Sequence, residues 1–153
     1  MGISNTFRIT GTALNAQSIH IDLIAKNMAN AEIISGTEAG AFRARRPVFA
    51  TMLNSNFDSP ASGRAFFAAS GLGGSGARGV TVESIAQSRA PIGKQHMPEN
   101  PLADADGYIY LSNVNMVEEM AYMMQASRSY QANIEVLNTA KQLMLRTLSL
   151  GNS

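Results

Sequence analysis

The chain has no cysteine and no tryptophan among its 153 residues, and only 15% of the residues are charged. Without cysteine there can be no disulfide, no thiolate nucleophile and no cysteine metal site. The 12 basic and 11 acidic residues nearly cancel, so the net charge of +1 does not indicate binding to nucleic acid or to a membrane surface. No apolar run resembles a secretory signal or a membrane span. We therefore expect a cytoplasmic protein, or one exported by a route that needs no cleavable signal peptide.

Two heptad-like patterns occupy the ends of the chain. One runs from Ile3 to Met28 and the other from Met116 to Leu148, and in both the steps alternate between three and four residues. Such spacing places side chains on one stripe of an α-helix, as in a coiled coil. The expected seam comprises Phe7, Leu14, Ile21, Ile24, Met28, Met120, Met123, Tyr130, Ile134, Leu137, Met144 and Leu148.

The region between these two patterns has a different composition. Alternating or β-branched runs in "FRARRPVFATML", "RGVTVESIAQS" and "GYIYL" predict a few short strands. Residues 59–79 hold 15 Gly, Ser or Ala among 21, which is typical of a flexible loop. The sequence thus predicts a mainly α fold with a small β-containing middle region at 32–113. The segments 1–31 and 114–153 would form one discontinuous domain, an antiparallel coiled coil of two long helices.

The sequence motifs that resemble nucleotide-binding and calcium-binding sites are incomplete. The glycines of residues 71–76 match a dinucleotide fingerprint but lack the strand before and the helix after that the motif needs. "LADADG" resembles part of a calcium loop, yet Leu102 and Asn113 stand where the two anchoring carboxylates belong. A turn in which Asp104 and Asp106 hydrogen-bond local backbone and Gly107 adopts positive φ explains this stretch better. We expect no cofactor, no bound metal and no small-molecule substrate.

The remaining polar residues favour contacts between subunits. Arg43, Arg45 and Arg46 form the one basic cluster, and nucleic-acid binding would require more charge with interleaved aromatic residues. We expect these arginines to pair with acidic residues of a neighbouring subunit. His20 and His96 lie outside any constellation of carboxylates, which favours surface or interface roles over metal binding or catalysis.

The polar side of the first helix is also unusual. Its outer positions are mostly Ser, Thr, Asn, Gln and Ala, with few charges. Small uncharged side chains suit the close approach of another helix better than they suit solvation. We therefore expect both terminal helices to become fully ordered by packing against other subunits.

Three stretches resemble a known family. "AKNMANAE" contains Asn27, Met28, Ala29 and Asn30, which resemble the Asn-Leu-Ala-Asn motif of the axial family of bacterial flagella. "NPLADADGYIYLSNVNMVEEM" and "SRSYQANIEVLNTAKQLMLRTLSLG" are similar to the carboxy-terminal half of its rod subunits. The resemblance covers residues 1–50 and 79–151. Met28 replaces the usual leucine, no threonine follows Asn30 closely, and the Gly/Ser/Ala stretch is longer than is usual in the family.

The resemblance implies a structural subunit of the proximal rod, with no catalysis and no nucleic-acid partner. Such subunits leave the cell through the flagellar type III export apparatus and assemble in the periplasm into a hollow shaft that transmits torque. Partners would be copies of the chain, other proximal and distal rod proteins, the membrane-embedded ring and the export gate junction. Polar interface candidates besides the three arginines are Asn27, Asn30, Gln131, Asn133 and Asn138.

Two other classes of function remain open at this point. A helical adaptor or secretion chaperone would use the same seam to hold a client and would form a small oligomer. A hydrolase would have to use Glu118 and Glu119, but consecutive helical side chains point about 100° apart and do not cooperate easily.

Overall fold

The computed structural model describes residues 3–52 and 79–150. Long helices lie at both ends and short strands lie between them, which confirms the predicted mainly α fold with a small β middle region. The predicted loop at 59–79 and the glycines of 71–76 lie, except for Gly79, outside the described residues. The elements are α1 (Ile3–Ala29), β1 (Ile34–Ser35), β2 (Arg45–Met52), β3 (Gly79–Gln87), β4 (Gly93–His96), β5 (Tyr108–Leu111) and α2 (Met116–Leu150).

Helix α1 has 27 residues and contains no proline, so its backbone hydrogen bonds continue without interruption over about 40 Å. It begins at Ile3. Asn30 closes the other end: its Nδ2 donates to the carbonyl oxygen of Lys26 at 2.6 Å, and its backbone N–H donates to the same oxygen at 3.2 Å. These bonds satisfy a carbonyl that the helix end would leave unpaired.

Helix α2 has 35 residues and spans about 52 Å. Asn115 caps its start, because the Asn115 Oδ1 accepts the backbone N–H groups of Val117 at 3.1 Å and Glu118 at 3.4 Å. Glu118 and Glu119 lie in the first turn, where negative charge is favoured by the helix dipole.

Strands β1, β5 and β4 form an antiparallel sheet in that order. Ile34 pairs with Leu111 on one side of β5, and Gly93 pairs with the same residue on the other. Ile109, in the middle of β5, is almost completely buried. The sequence predicted β5 but neither β1 nor β4, because two residues are too few for a pattern and "GKQH" has no β-branched side chain. Strands β2 and β3 form a separate two-stranded sheet.

The turn before β5 confirms the roles predicted for Asp104 and Gly107, whereas Asp106 takes part through its backbone N–H. Asp104 Oδ1 accepts the backbone N–H groups of Asp106 and Tyr108, and Gly107 has φ of 76°. The hydrogen bond from the Tyr108 backbone, together with one from the Tyr110 hydroxyl at 3.2 Å, lowers the pKa of Asp104. This carboxylate therefore organises a tight turn.

The chain divides into two compact units. In the first, whose described residues are 3–16, 49–52, 79–81 and 132–150, Gly79 approaches Thr12 closely, and Thr12 Oγ1 accepts the Val80 N–H at 3.2 Å. In the second, residues 17–48 and 82–131, the buried apolar side chains are Leu23, Ile24, Ala41, Ala44, Ile109 and Ala126. Within the described ranges, no helix is long and apolar enough to cross a membrane.

Candidate functional site

Asn27 is the centre of a polar cluster in the second unit. It lies near the end of α1 with 1% of its surface exposed. Its side-chain Nδ2 donates to the carbonyl oxygen of Arg45, and its Oδ1 accepts the Arg45 N–H, both at 2.9 Å. A side-chain amide thus pairs with the backbone at the start of β2 as a neighbouring strand would.

Glu119 lies beside Asn27 and is equally buried. Its Oε2 accepts the second Nδ2 hydrogen of Asn27 at 3.3 Å, and its Oε1 accepts from the Arg46 guanidinium at 3.1 Å. Both carboxylate oxygens therefore face donors, and both amide hydrogens of Asn27 are used. We call Asn27, Arg45, Arg46 and Glu119 the polar junction, because its members come from α1, β2 and α2.

Arg46 also contacts Glu118 and Tyr122 of α2. Its guanidinium lies 3.6 Å from Glu118 Oε1 and 4.4 Å from the centre of the Tyr122 ring. The Tyr122 hydroxyl donates to Glu118 Oε1 at 2.7 Å. This bond to a carboxylate raises the pKa of Tyr122, since deprotonation would place two negative charges together. Arg46 is thus held by two carboxylates and one aromatic face.

The segment that leads into β2 is fixed by further side chains. The Arg43 guanidinium donates to the carbonyl oxygens of Ser88 at 3.4 Å and Ala90 at 3.2 Å. Asn113 accepts the N–H of Ala44 at 2.8 Å and donates to the Ala90 carbonyl at 3.0 Å. These bonds leave the start of β2 little freedom to move.

Two of the three predicted arginines, Arg43 and Arg46, have acidic partners within the chain. Arg43 lies 3.8 Å from Glu38, and Arg46 pairs with the two glutamates of α2. Arg45 is exposed and stacks above the Phe42 ring at 5.8 Å. Pairing of these residues with a neighbouring subunit stays a prediction.

The predicted seam is unevenly covered. Ile24 is buried, and the partly buried members are Phe7, Leu14, Ile21, Met28, Met123, Tyr130 and Leu137. The exposed members are Met120, Ile134, Met144 and Leu148, and all residues from 141 to 150 are exposed. Among the polar candidates, Asn30 and Asn133 are partly buried, whereas Gln131 and Asn138 are exposed. The last turns of α2 therefore present apolar side chains to solvent.

A groove of about 610 Å³ lies in the first unit. The groove is lined by Thr6 of α1 and by a row of mostly small residues on α2, which are Ala132, Val136, Thr139, Ala140 and Leu143. Glu135 is the one charged side chain in the lining. Small side chains on one helical face allow the backbone of a further helix to come close.

Sequence reasoning missed the role of Glu119. It considered Glu119 only as a member of an improbable hydrolytic pair. One signal was present: Glu119 lies four residues before Met123 and seven before Ala126, which places it on an inward helical face. A glutamate there must have a partner. Within residues 3–52 and 79–150, no three His, Asp or Glu side chains form a group that could hold a metal ion.

The fold suits a structural protein that assembles with others, because it has long terminal helices, short strands between them and an exposed apolar end of α2. Comparison with known proteins identifies the class of protein. Residues 105–150 match the family described as flagellar basal body rod FlgEFG protein C-terminal. These residues comprise most of the turn before β5, that strand and all of α2. The class is therefore that of flagellar rod proteins.

Full-length relatives narrow the class. The flagellar basal-body rod protein FlgC of Salmonella typhimurium strain LT2 is 44% identical over 151 residues, 99% of each chain. The FlgC of Escherichia coli O6:H1 is 41% identical over the same share of both chains. The FlgC of Borreliella burgdorferi is 32% identical over 98% of each. The chain belongs to the FlgC family of flagellar basal-body rod proteins.

Proposed function

We propose that the chain is a structural subunit of the flagellar basal-body rod, placed in its proximal part. Subunits stack into a hollow axial shaft that transmits motor torque and lets export substrates pass. The single observation that carries the proposal is family membership over 99% of the chain, at 44% identity with a protein named as a rod component. Assembly occurs in the periplasm, after export through the flagellar type III apparatus.

The terminal helices form the assembly surface of this proposal. Gln17 donates to the carbonyl oxygen of Ala126, while Asn27, further along α1, bonds Glu119, which is earlier in α2. These two contacts support an antiparallel pairing of α1 with α2, and we propose that it is a coiled coil. The exposed seam residues Met144 and Leu148 then meet helices of adjacent subunits.

Burial of those residues supplies the driving force for assembly. Met144 is 44% exposed and Leu148 62% exposed in the single chain. Covering a large apolar side chain stabilises a structure by about 1.5–3 kcal/mol. The groove lined by Ala132, Val136 and Ala140 is a further place where a neighbouring helix fits. The neighbours are copies of the chain, other proximal and distal rod proteins, the membrane-embedded ring and the export gate junction.

The test is deletion of the gene followed by electron microscopy of isolated basal bodies. We expect non-motile cells whose basal bodies stop before the rod is complete, and recovery when the wild-type gene is returned. Complete rods and normal motility in the deletion strain would reject a rod role. If the deletion strain is motile and the purified chain forms a small defined oligomer, the results would instead favour the helical adaptor.

A further inference from the structure

The first three turns of α2 carry an apolar stripe that is exposed. It consists of Val117, Met120 and Met124, which we call the outer stripe and which are 76%, 48% and 59% exposed. At about 100° per residue, Glu119 and Ala126 lie on the opposite side of the helix, and each is 1% exposed. The side of α2 that turns inward is therefore the side that carries a glutamate.

Hydrophobic burial does not account for this orientation of α2. Covering large apolar side chains is favourable, and moving a carboxylate out of water is costly unless partners compensate. A rotation of α2 by about half a turn would bury the outer stripe and return Glu119 to water. Specific partners of Glu119 must therefore hold the observed orientation.

Those partners are members of the polar junction. The Glu119 Oε2 accepts from the Asn27 Nδ2 at 3.3 Å, and its Oε1 accepts from the Arg46 guanidinium at 3.1 Å. Asn27 belongs to α1 and is fixed by its two hydrogen bonds to the backbone of Arg45, while Arg46 belongs to β2. Both donors thus stand on elements other than α2. Turning the outer stripe inward would withdraw the carboxylate from both of them.

We propose that Glu119 is a positioning residue that selects which side of α2 turns inward, and that its two bonds outweigh the burial of the outer stripe. Single polar side chains act in this way in coiled coils, where they fix the alignment of helices while lowering stability. The outer stripe stays at the surface as a consequence. These contacts lie within one chain, so the role of Glu119 is independent of the proposed function in the rod.

The test replaces the carboxylate by an apolar side chain of similar length, Glu119→Met, and follows the inward side of α2 with a thiol. Because the chain has no cysteine, Ala126→Cys provides a unique reporter at a buried position of the full-length chain. With Glu119 present, we expect the thiol at position 126 to be protected from labelling. With Glu119→Met, labelling should become at least about tenfold faster while circular dichroism shows unchanged helical content.

Ala41→Cys is the matched control. Ala41 is buried in the same compact unit but does not belong to α2, so a thiol at position 41 should stay protected with and without Glu119→Met. A rotation of α2 exposes position 126 alone, whereas general unfolding exposes both positions.

A second pair of substitutions separates orientation from a general contribution to stability. Val117→Gln with Met124→Gln makes the outer stripe polar. Added to Glu119→Met, this pair should restore protection at position 126, because rotation would now bury two amides. In the presence of Glu119 the same pair should leave the protection unchanged, since both side chains are exposed.

Three results would overturn the proposal. One is equal protection of position 126 with and without Glu119→Met. Another is a loss of helical content or faster labelling of position 41 in Glu119→Met, which would show that the carboxylate stabilises the whole fold and does not select a side. The third is continued exposure of position 126 after the outer stripe has been made polar.

Discussion

The side-chain amide of Asn27 forms a two-way hydrogen-bonded pair with the backbone of Arg45, donating to its carbonyl oxygen and accepting its N–H, each at 2.9 Å. The remaining amide hydrogen goes to Glu119. No other side chain of this length offers two donors and one acceptor in this arrangement, so asparagine is specified here by hydrogen bonding. These two hydrogen bonds join the end of α1 to the start of β2.

Asn27→Asp should destabilise the folded chain strongly. The substitution keeps the shape of the side chain but removes both donors, and it places a second carboxylate beside buried Glu119 and the Arg45 carbonyl oxygen. We expect the free energy of unfolding at neutral pH to fall by about 2–4 kcal/mol.

The matched control for this prediction is Asn30→Asp. Asn30 is partly buried, and among the described residues its side chain bonds the Lys26 carbonyl oxygen alone, so we expect a loss of about 1 kcal/mol or less. Urea unfolding followed by circular dichroism measures both variants. Equal losses for the two would show that Asn27 is merely a helix-end residue.

Glu119→Gln and Glu118→Gln should differ although the residues are adjacent. Both contact Arg46, but Glu119 is buried and Glu118 has a side chain that is 51% exposed. A glutamine at 119 must turn its NH₂ group toward either Asn27 Nδ2 or Arg46, and both are donors. We expect a loss of about 2–3 kcal/mol for Glu119→Gln and about 0.5 kcal/mol for Glu118→Gln. Comparable losses in urea unfolding would mean that the junction does not depend on a buried carboxylate.

Two glycine-to-alanine substitutions should change stability in opposite directions. Gly79 is buried with φ of 148°, and a Cβ there would overlap Thr12 Oγ1, which also binds the Val80 N–H. Gly79→Ala should therefore destabilise the chain by about 1–3 kcal/mol. Gly11 lies within α1, and a Cβ added to it would meet no other atom within 4 Å, so Gly11→Ala should stabilise the chain by about 1 kcal/mol.

Thermal unfolding of the two glycine variants at matched protein concentration measures this difference. The melting temperature should rise for Gly11→Ala and fall for Gly79→Ala. A rise for both would show that β3 does not approach α1 at Thr12 in solution.

Periodicity is enough to predict the helices, and local composition is enough to predict three of the strands. The repeat of apolar residues places α1 and α2 within a few residues of their ends, and Asp104 with Gly107 identifies the turn before β5. Strand β4 escapes prediction because its "GKQH" acquires β structure only by pairing with β5, which is not a local property. Pairing across long sequence separations leaves little trace in a single segment.

The polar junction is partly visible in the sequence. Asn27 and Arg46 stand out as polar candidates, but their partners do not, since Glu119 lies 92 residues from Asn27 along the chain. The periodicity of the sequence also does not predict which seam residues are exposed to solvent. A heptad pattern indicates which side chains share a face, whereas Leu148 shows that such a face can remain uncovered in the single chain.

The central claim is that the exposed end of α2 becomes buried when subunits assemble, and the absence of cysteine makes it directly measurable. Leu148→Cys introduces a unique thiol at a position that is 62% exposed in the single chain. Gln95→Cys, on the exposed strand β4, provides the control thiol. Each variant is expressed in a deletion strain, and restored motility shows that it assembles; Met144→Cys replaces Leu148→Cys if motility is lost.

Thiol labelling is then compared between the purified chain and isolated basal bodies. Burial on assembly predicts that the thiol at position 148 reacts rapidly in the free chain and is strongly protected in basal bodies, while the thiol at position 95 remains reactive in both. Equal labelling of position 148 in the free chain and in assembled rods would contradict the central claim.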